Sequence, residues 1–216
     1  MMILSDNDNL KITGLIGMRQ LLSREHASPF FKILDAGLIP VLLKIAKETQ
    51  IDKQQFEAIW CLTNIASNES TFVLKLVDCG CIKILMDLIS SDCSIMVKEQ
   101  AIWCLGNISG DSYLFRDNII AEGAIPKICA ILDQAPPETS LVRNASWTLA
   151  NFGKGKPMIK MQDFLPAVFT LTKVLNENNN EEVLSDIIWA LSYVTDDGGD
   201  EVILPFIQAN TTPRLL

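Results

Sequence analysis

Four tryptophans stand at a nearly constant spacing along the chain, 43, 44 and 42 residues apart. An indole attracts the apolar stem and the charged head of Lys or Arg. An asparagine amide offers one acceptor and two donors, which suits the backbone of an extended peptide. The residue types therefore predict a surface for a basic, extended ligand. Each tryptophan is followed four residues later by a polar partner, in the pairs Trp60/Asn64, Trp103/Asn107, Trp147/Asn151 and Trp189/Tyr193.

These pairs require helices, because residues four apart lie on one helical face, one turn apart. A helical period of about 40–47 residues is typical of armadillo or HEAT arrays. The sequence therefore predicts an all-α fold, a right-handed armadillo-repeat superhelix with about four full repeats plus partial ends. The predicted repeats are 27–67, 68–110, 111–154 and 155–195, with partial repeats at 1–26 and 196–216.

Glycine and proline divide each repeat into a short helix, a second helix and a long tryptophan helix. A glycine closes Asp35–Gly37, Asp78–Gly80 and Ala121–Gly123, where it can end one helix before the next begins. Prolines are expected to start helices, at Ser28-Pro29, Pro40 and Pro126. Degraded copies of the break are predicted at Gln162–Pro166 and Gln208–Pro213. Since the sequence stops at Leu216 inside an apolar unit, and arrays need polar caps, we expect a fragment of a longer array.

Composition limits the possible partners. The net charge of −8 and the pI of about 4.7 argue against nucleic acid, whose phosphates require a basic patch, and suit a basic partner. No apolar run reaches the ~18 residues of a membrane span, and Met1–Leu10 does not read as a secretory signal. The six cysteines contain no Cys-x-x-Cys pair and predict free thiols, not disulfides or a metal site.

Nothing in the sequence predicts an enzyme. The single histidine, His26, stands beside charged residues and is expected to be a surface or capping residue. Gly153–Lys156 lacks the spacing of a phosphate-binding loop and is expected in a turn between helices. No catalytic residue, cofactor or metal is expected.

Core packing is the alternative interpretation of the tryptophans, since an indole on a helix is usually buried. Four indoles in register favour an exposed groove, because a packing position could vary and a buried asparagine would need a partner each time. Adjacent helices lie ~8–10 Å apart and an extended chain advances ~3.3 Å per residue, so three Trp/Asn repeats would hold about six peptide residues.

Acidic residues near the tryptophans are expected to bind the cationic heads of the ligand. Asp111 follows Trp103 by eight residues, and Asp186 precedes Trp189 by three. Asp111 is expected on a loop at the end of the Trp103 helix. Further candidates are Glu57, Glu99, Glu182 and Asp196.

The joint motif set resembles the importin alpha family over nearly the whole chain. That family consists of armadillo adaptors that recognise nuclear localisation signals, so the resemblance implies a non-enzymatic adaptor of nuclear import that works in the cytoplasm and the nucleus. It corresponds to the N-terminal half of the family's array, which holds the major signal site; the minor site would lie beyond Leu216. The motifs are Leu22–Glu25, Gln55–Ser67, Glu99–Asp111, Phe115–Asp117 and Trp189–Asp196.

The resemblance also implies a role for each site residue. Slots for Lys and Arg are assigned to Trp60, Trp103 and Trp147, and clamps on the peptide backbone to Asn64, Asn107 and Asn151. Asp111 would pair with the most buried lysine, and Ser67 would lie beside that deepest pocket. Neighbouring basic residues would be surrounded by Gln100, Asn144, Glu182 and Asp186, and the site would end at Trp189 and Tyr193.

Two positions depart from the family pattern, and one family segment is missing. Asn68 stands where the family has Gly, and Val73 where it has a Thr hydroxyl that helps to hold the lysine. The resemblance implies that importin beta binds through an Arg-rich N-terminal segment, which also folds back as an autoinhibitor; residues 1–216 contain no such segment, so importin beta is not an expected partner of this chain alone. The alternative functions are an armadillo scaffold of the catenin type, whose groove is lined by Lys and Arg, and an RNA-reading helical repeat.

Overall fold

The structure is a computed structural model that describes residues 2–24, 30–196 and 200–211. In these residues the chain forms thirteen α-helices, one 3-10 helix at Met2–Leu4 and no strand, so the all-α prediction is confirmed. Four sequence predictions lie outside the described residues: those for His26, Ser28-Pro29, Pro213 and Leu216. The α-helices are α1 (Asp8–Leu22), α2 (Phe30–Asp35), α3 (Leu38–Glu48), α4 (Asp52–Ala66), α5 (Ser70–Asp78), α6 (Cys81–Ser90), α7 (Ile95–Asp111), α8 (Tyr113–Ala121), α9 (Ala124–Leu132), α10 (Ser140–Gly153), α11 (Met161–Glu177), α12 (Glu181–Thr195) and α13 (Asp200–Gln208).

The chain divides into two compact units, residues 1–108 and 109–216, and α7 crosses from the first to the second. In the first unit α1 and α3 pack on α4, and α3 and α5 pack on α6. In the second unit α10 packs on α9 and α12, and α11 packs on α9, α12 and α13. The long helices α4, α7, α10 and α12 carry the four tryptophans, as the repeat period predicts.

Helical periodicity explains why these segments pack as they do. In α3 the buried residues are Leu38, Ile39, Leu42, Leu43 and Ala46, which recur at the three- and four-residue intervals of one helical face. The resulting apolar stripe is buried against neighbouring helices, which stabilises α3 far more than its intrinsic propensity does.

Left-handed residues separate the short helices at a constant interval. Gly37, Gly80 and Gly123 stand 43 residues apart with φ of 63°, 80° and 78°. Asn210 stands 87 residues beyond Gly123, within one residue of two such intervals, and has φ 58°. Glycine adopts this conformation without a steric penalty, and asparagine is the side chain that next tolerates it. The predicted breaks at these positions are confirmed, including the degraded copy that contains Asn210, although the helices begin at Leu38 and Ala124, before the prolines.

The predicted break at Gln162–Pro166 is wrong. Residues 161–177 form the single helix α11, and Pro166 lies inside it. Gly155 and Pro157 disfavour a helix just before it, so an irregular segment, 154–160, takes the place of the short first helix of this repeat. The repeat therefore has two helices in place of three.

A buried arginine holds this irregular segment. Arg116, on α8, is 1% exposed and donates to the carbonyl oxygens of Lys154 at 2.8 Å and Pro157 at 2.6 Å. Its Nε also donates to Asp117 at 2.9 Å. Five donors in a rigid planar fork allow one guanidinium to bind two turns of backbone at once. Arg116 thereby fixes the chain directly after α10, the helix that carries Trp147 and Asn151.

All six cysteines are free thiols. Burial raises the pKa of Cys61 to about 12, with Glu57 adding to the rise, and burial raises the pKa of Cys129 to about 11. These thiols are core residues with little nucleophilic character at neutral pH. Within the described ranges no helix has the length and apolarity to cross a membrane, and no group of His, Cys, Asp and Glu could hold a metal ion.

Candidate peptide-binding site

The site residues predicted from the sequence fall into two sets, one in each unit. Each set lies on tryptophan helices and at their ends, where the residues are one or more turns apart. The first unit holds Trp60, Asn64, Ser67, Gln100, Trp103 and Asn107. The second unit holds Asp111, Asn144, Trp147, Asn151, Glu182, Asp186, Trp189 and Tyr193.

The indoles are partly open to solvent, which is unlike core tryptophans. Trp60, Trp103 and Trp147 are half-buried, and Trp189 is 55% exposed. Trp189 stacks on Tyr193 with ring centroids 5.6 Å apart, since the two lie one turn apart on α12. Each ring therefore has an edge or a face that a ligand can contact.

The ladder asparagines are tied to the helix of the preceding repeat. Asn107 Nδ2 donates to the carbonyl oxygen of Thr63 at 3.3 Å. Asn64 Nδ2 donates to the carbonyl oxygen of Arg19 at 3.3 Å and to Ser23 Oγ at 2.9 Å. Both carbonyls lie in the last turn of their helices, where each accepts from the backbone N–H of the C-cap residue, Ser23 or Ser67, and also accepts from the amide. A bond to the preceding helix orients each amide and leaves its oxygen to accept a further hydrogen bond.

In the second unit a glycine leaves room for a ladder amide. A Cβ placed on Gly110 would lie 3.4 Å from Asn151 Nδ2 and 3.7 Å from Asn151 Cγ. An alanine methyl at position 110 would therefore lie in van der Waals contact with the amide of Asn151. Gly110 places the backbone at the end of α7 beside this amide.

The residue three before each tryptophan has a different environment in each repeat. Gln100 is 4% exposed, and its Nε2 donates to Thr63 Oγ1 at 2.9 Å. Glu57 has a side chain 1% exposed and lies 2.5 Å from Arg19 Nε and 2.8 Å from Lys53 Nζ. Glu57 was a candidate acid for the ligand, but the chain's own cations bind it. Asp186 stands three residues before Trp189, and the position that matches Arg19 and Thr63 on the preceding tryptophan helix is the uncharged Ala150.

The acids of the second unit differ in their surroundings. Burial raises the pKa of Asp186, the negative charge of Glu182 adds to the rise, and Arg143 opposes it. Glu182 is exposed and pairs with Arg143 Nη1 at 3.3 Å. A partly dehydrated carboxyl such as Asp186 gains most from a cation brought by a ligand. Asp111 is half-buried and is the last residue of α7, so its predicted place on a loop is wrong by one residue, because the helix persists through Gly110.

One of the two departures from the family pattern, Asn68, lies beside Asn64. Ser67 Oγ donates to the carbonyl oxygen of Asn64 at 3.0 Å, and Asn68 Nδ2 approaches the same oxygen at 3.4 Å. Both side chains thus bond the open end of α4. Val73 is fully buried in α5 and supplies packing where a hydroxyl was expected from the family.

Sequence reasoning missed three internal partners: Arg19, Thr63 and Arg143. Their signal is the repeat spacing. Arg19 precedes Thr63 by 44 residues and Glu57 precedes Gln100 by 43, so the Arg19–Glu57 pair occupies the same register as the Thr63–Gln100 pair. Thr63 follows Trp60 by three residues, and Arg19 occupies the matching position one repeat earlier. Comparison of successive repeats at this position would have found both Arg19 and Thr63.

Comparisons with known proteins agree with this architecture. The armadillo/beta-catenin-like repeat family matches residues 31–67 and 73–110. A designed armadillo repeat protein in complex with the peptide (KR)4 superposes with a TM-score of 0.83 at 24% identity, over 99% of this chain and 87% of its own. An engineered protein superposes with a TM-score of 0.86 at 24% identity, over 99% of this chain and 84% of its own. The chain has the all-α fold of armadillo-repeat proteins.

Relatives of higher sequence identity indicate which armadillo-repeat proteins this chain resembles. Importin subunit alpha-1a of Oryza sativa subsp. japonica is 38% identical over 99% of this chain and 40% of its own length. Importin subunit alpha-2 of Arabidopsis thaliana is 37% identical over 98% of this chain and 39% of its own length. Importin subunit alpha-B of Dictyostelium discoideum is 37% identical over 98% of this chain and 41% of its own length. The chain thus spans well under half the length of these relatives. By sequence it is a relative of the importin alpha subunits, and the predicted resemblance is confirmed.

Proposed function

We propose that the chain binds Lys/Arg-rich nuclear localisation signals, in an extended conformation, along its Trp/Asn helices. In this role it is an adaptor of nuclear import and not an enzyme, and it works in the cytoplasm and the nucleus. Its partners are basic linear peptides of cargo proteins, and neither nucleic acid nor a membrane is part of the proposal.

The arrangement at Trp103 and Asn107 carries the proposal. The indole is half-buried, and the amide one turn later is held by the carbonyl of Thr63 at 3.3 Å. A ligand that meets an amide already oriented loses less entropy on binding than one that must order it. The second N–H and the oxygen of this amide match the two hydrogen-bonding groups of one peptide residue. Beside it, the indole offers a surface for the stem and charge of a Lys or Arg side chain.

Charge supports a basic ligand. The chain has a net charge of −8, and Asp186 is a partly dehydrated acid three residues before Trp189. The designed armadillo protein that resembles this fold was solved with (KR)4, a peptide of alternating basic residues. The named relatives are importin alpha subunits, whose name agrees with an import adaptor.

Titration of a lysine-rich hexapeptide into the full chain, followed by tryptophan fluorescence, tests the proposal. The resemblance assigns the most buried lysine of the signal to Asp111, so Asp111→Ala is the key variant. Losing a hydrogen bond to a charged group costs ~1.5–3 kcal/mol, which weakens binding by roughly 10- to 150-fold. Asp92→Ala is the matched control, because Asp92 is an exposed acid in the link between α6 and α7 and removes the same charge.

The outcomes separate the parts of the proposal. If the hexapeptide binds but Asp111→Ala stays within about twofold of wild type, the lysine partner is wrongly assigned. If an acidic peptide binds and the basic one does not, the chain is an armadillo scaffold for other partners, outside import.

A further inference from the structure

The ring of Trp60 already carries a cation of the chain itself. The Cζ atom of Arg19 lies 4.2 Å from the ring centroid. That distance is well within the range of a cation–π interaction. At this position α1 makes the contact that the proposed function assigns to the ligand.

Glu57 holds Arg19 in this place. Its carboxylate is 1% exposed, one oxygen is 2.5 Å from Arg19 Nε, and the other is 2.8 Å from Lys53 Nζ. A buried carboxylate that loses a partner becomes an uncompensated charge, which is strongly unfavourable. A cation of a ligand therefore gains little by displacing Arg19, because it would have to replace both the ion pair and the ring contact.

The next repeat lacks this arrangement. At the same register, Gln100 donates to Thr63 Oγ1 at 2.9 Å, so an uncharged pair replaces the ion pair. In the part of the chain that the structure describes, no Arg or Lys lies over the rings of Trp103, Trp147 or Trp189. Within the described part of the first unit, the ring of Trp60 therefore carries a cation of the chain and the ring of Trp103 does not.

The amide beside Trp60 is also more engaged than its counterpart. Asn64 Nδ2 donates to Ser23 Oγ at 2.9 Å and to the carbonyl oxygen of Arg19 at 3.3 Å. Asn107 Nδ2 donates to the carbonyl oxygen of Thr63. The Asn64 amide and one face of the indole are thus directed to α1 and its C-cap residue, Ser23.

We infer that Arg19 is a specificity-determining residue, which takes the place of a ligand cation on Trp60 and ends the row of sites for basic side chains there. This inference rests on the proposed function. The peptide residue that reaches the face covered by Arg19 is uncharged or acidic, because a Lys or Arg would find the ring occupied and a positive charge beside it.

Five peptides test this in the full chain: the lysine-rich hexapeptide, and the same peptide extended by one Lys or one Ala at its N-terminus or its C-terminus. In wild type, Lys should bind within about twofold of Ala at the end of the peptide that meets Trp60, so at one end at least a Lys extension brings no gain. In Arg19→Ala, Lys should exceed Ala at one end by about 2- to 30-fold, the range of a cation–π contact.

Arg19→Ala leaves the buried carboxylate of Glu57 without its partner and could unfold the protein, so a second variant removes both charges. Arg19→Thr with Glu57→Gln copies the Thr63–Gln100 pair into the junction of α1 and α4, leaves no buried charge and keeps the net charge of the protein. It should show the same gain for one Lys extension. The control is Lys83→Gln with Asp87→Asn, which removes an exposed ion pair on α6, outside the candidate site and also without a change in net charge, and should leave the wild-type pattern unaltered.

Each other result overturns the inference. If the hexapeptide binds but Lys gives the double variant no gain at an end where it gives wild type none, or if wild type already gains from Lys at both ends, Arg19 does not set specificity. If the hexapeptide does not bind wild type at all, the proposed function fails and the inference fails with it.

Discussion

Arg116→Met should destabilise the second unit more than any exposed substitution. Arg116 is 1% exposed and binds the carbonyl oxygens of Lys154 and Pro157 at 2.8 and 2.6 Å. Hydrogen bonds to a charged group contribute ~1.5–3 kcal/mol each, but both carbonyls belong to exposed residues and can be rehydrated, so we expect a loss of about 2–4 kcal/mol. Methionine retains most of the side-chain volume, which keeps the cavity contribution small.

Urea denaturation of the full chain measures the loss, and hydrogen exchange localises it to residues 154–160 and α10. Asp117→Asn is the control, because Asp117 is half-exposed and its pair with Arg116 should contribute under about 1 kcal/mol. A free energy of unfolding for Arg116→Met within about 1 kcal/mol of wild type would refute the reasoning, since it would mean that the two carbonyl bonds add nothing to stability.

Three further predictions concern charge. Because burial raises the pKa of Asp186, folded protein holds its proton more tightly than unfolded chain, so this group costs stability as pH rises from 3.8 through the folded pKa. Asp186→Asn should therefore raise the melting temperature at pH 7, leave it unchanged at pH 3 and weaken peptide binding; a lower melting temperature at pH 7 contradicts this. At pH 8 a thiolate-selective reagent should label exposed Cys79 well before Cys61 and Cys129, as mass spectrometry of digests would show, and equal rates would mean that the two thiols are accessible. Affinity for the hexapeptide should fall as salt increases, because exposed charge pairs are screened, and an affinity independent of salt would indicate apolar recognition.

Local patterns were enough to predict the repeat architecture. The tryptophan period predicts the long helices α4, α7, α10 and α12, and the glycine period predicts the turns at Gly37, Gly80 and Gly123. Both signals are local, because a helix and a left-handed turn each depend on a few neighbouring residues. The exception is α11, where Pro166 lies inside a helix that its local sequence argued against. There the burial of Phe164, Ala167, Val168 and Leu171 outweighs the proline penalty.

The chemical state of the site depended on partners one repeat away. The sequence shows that Glu57, Gln100 and Asp186 each stand three residues before a tryptophan, and it treats them as equivalent. Tertiary structure pairs Glu57 with Arg19 and Gln100 with Thr63, and leaves Asp186 partly dehydrated with a raised pKa. Hydrogen bonds and ion pairs act over a few ångströms, so side chains about 40 residues apart can meet only after the helices that carry them have packed.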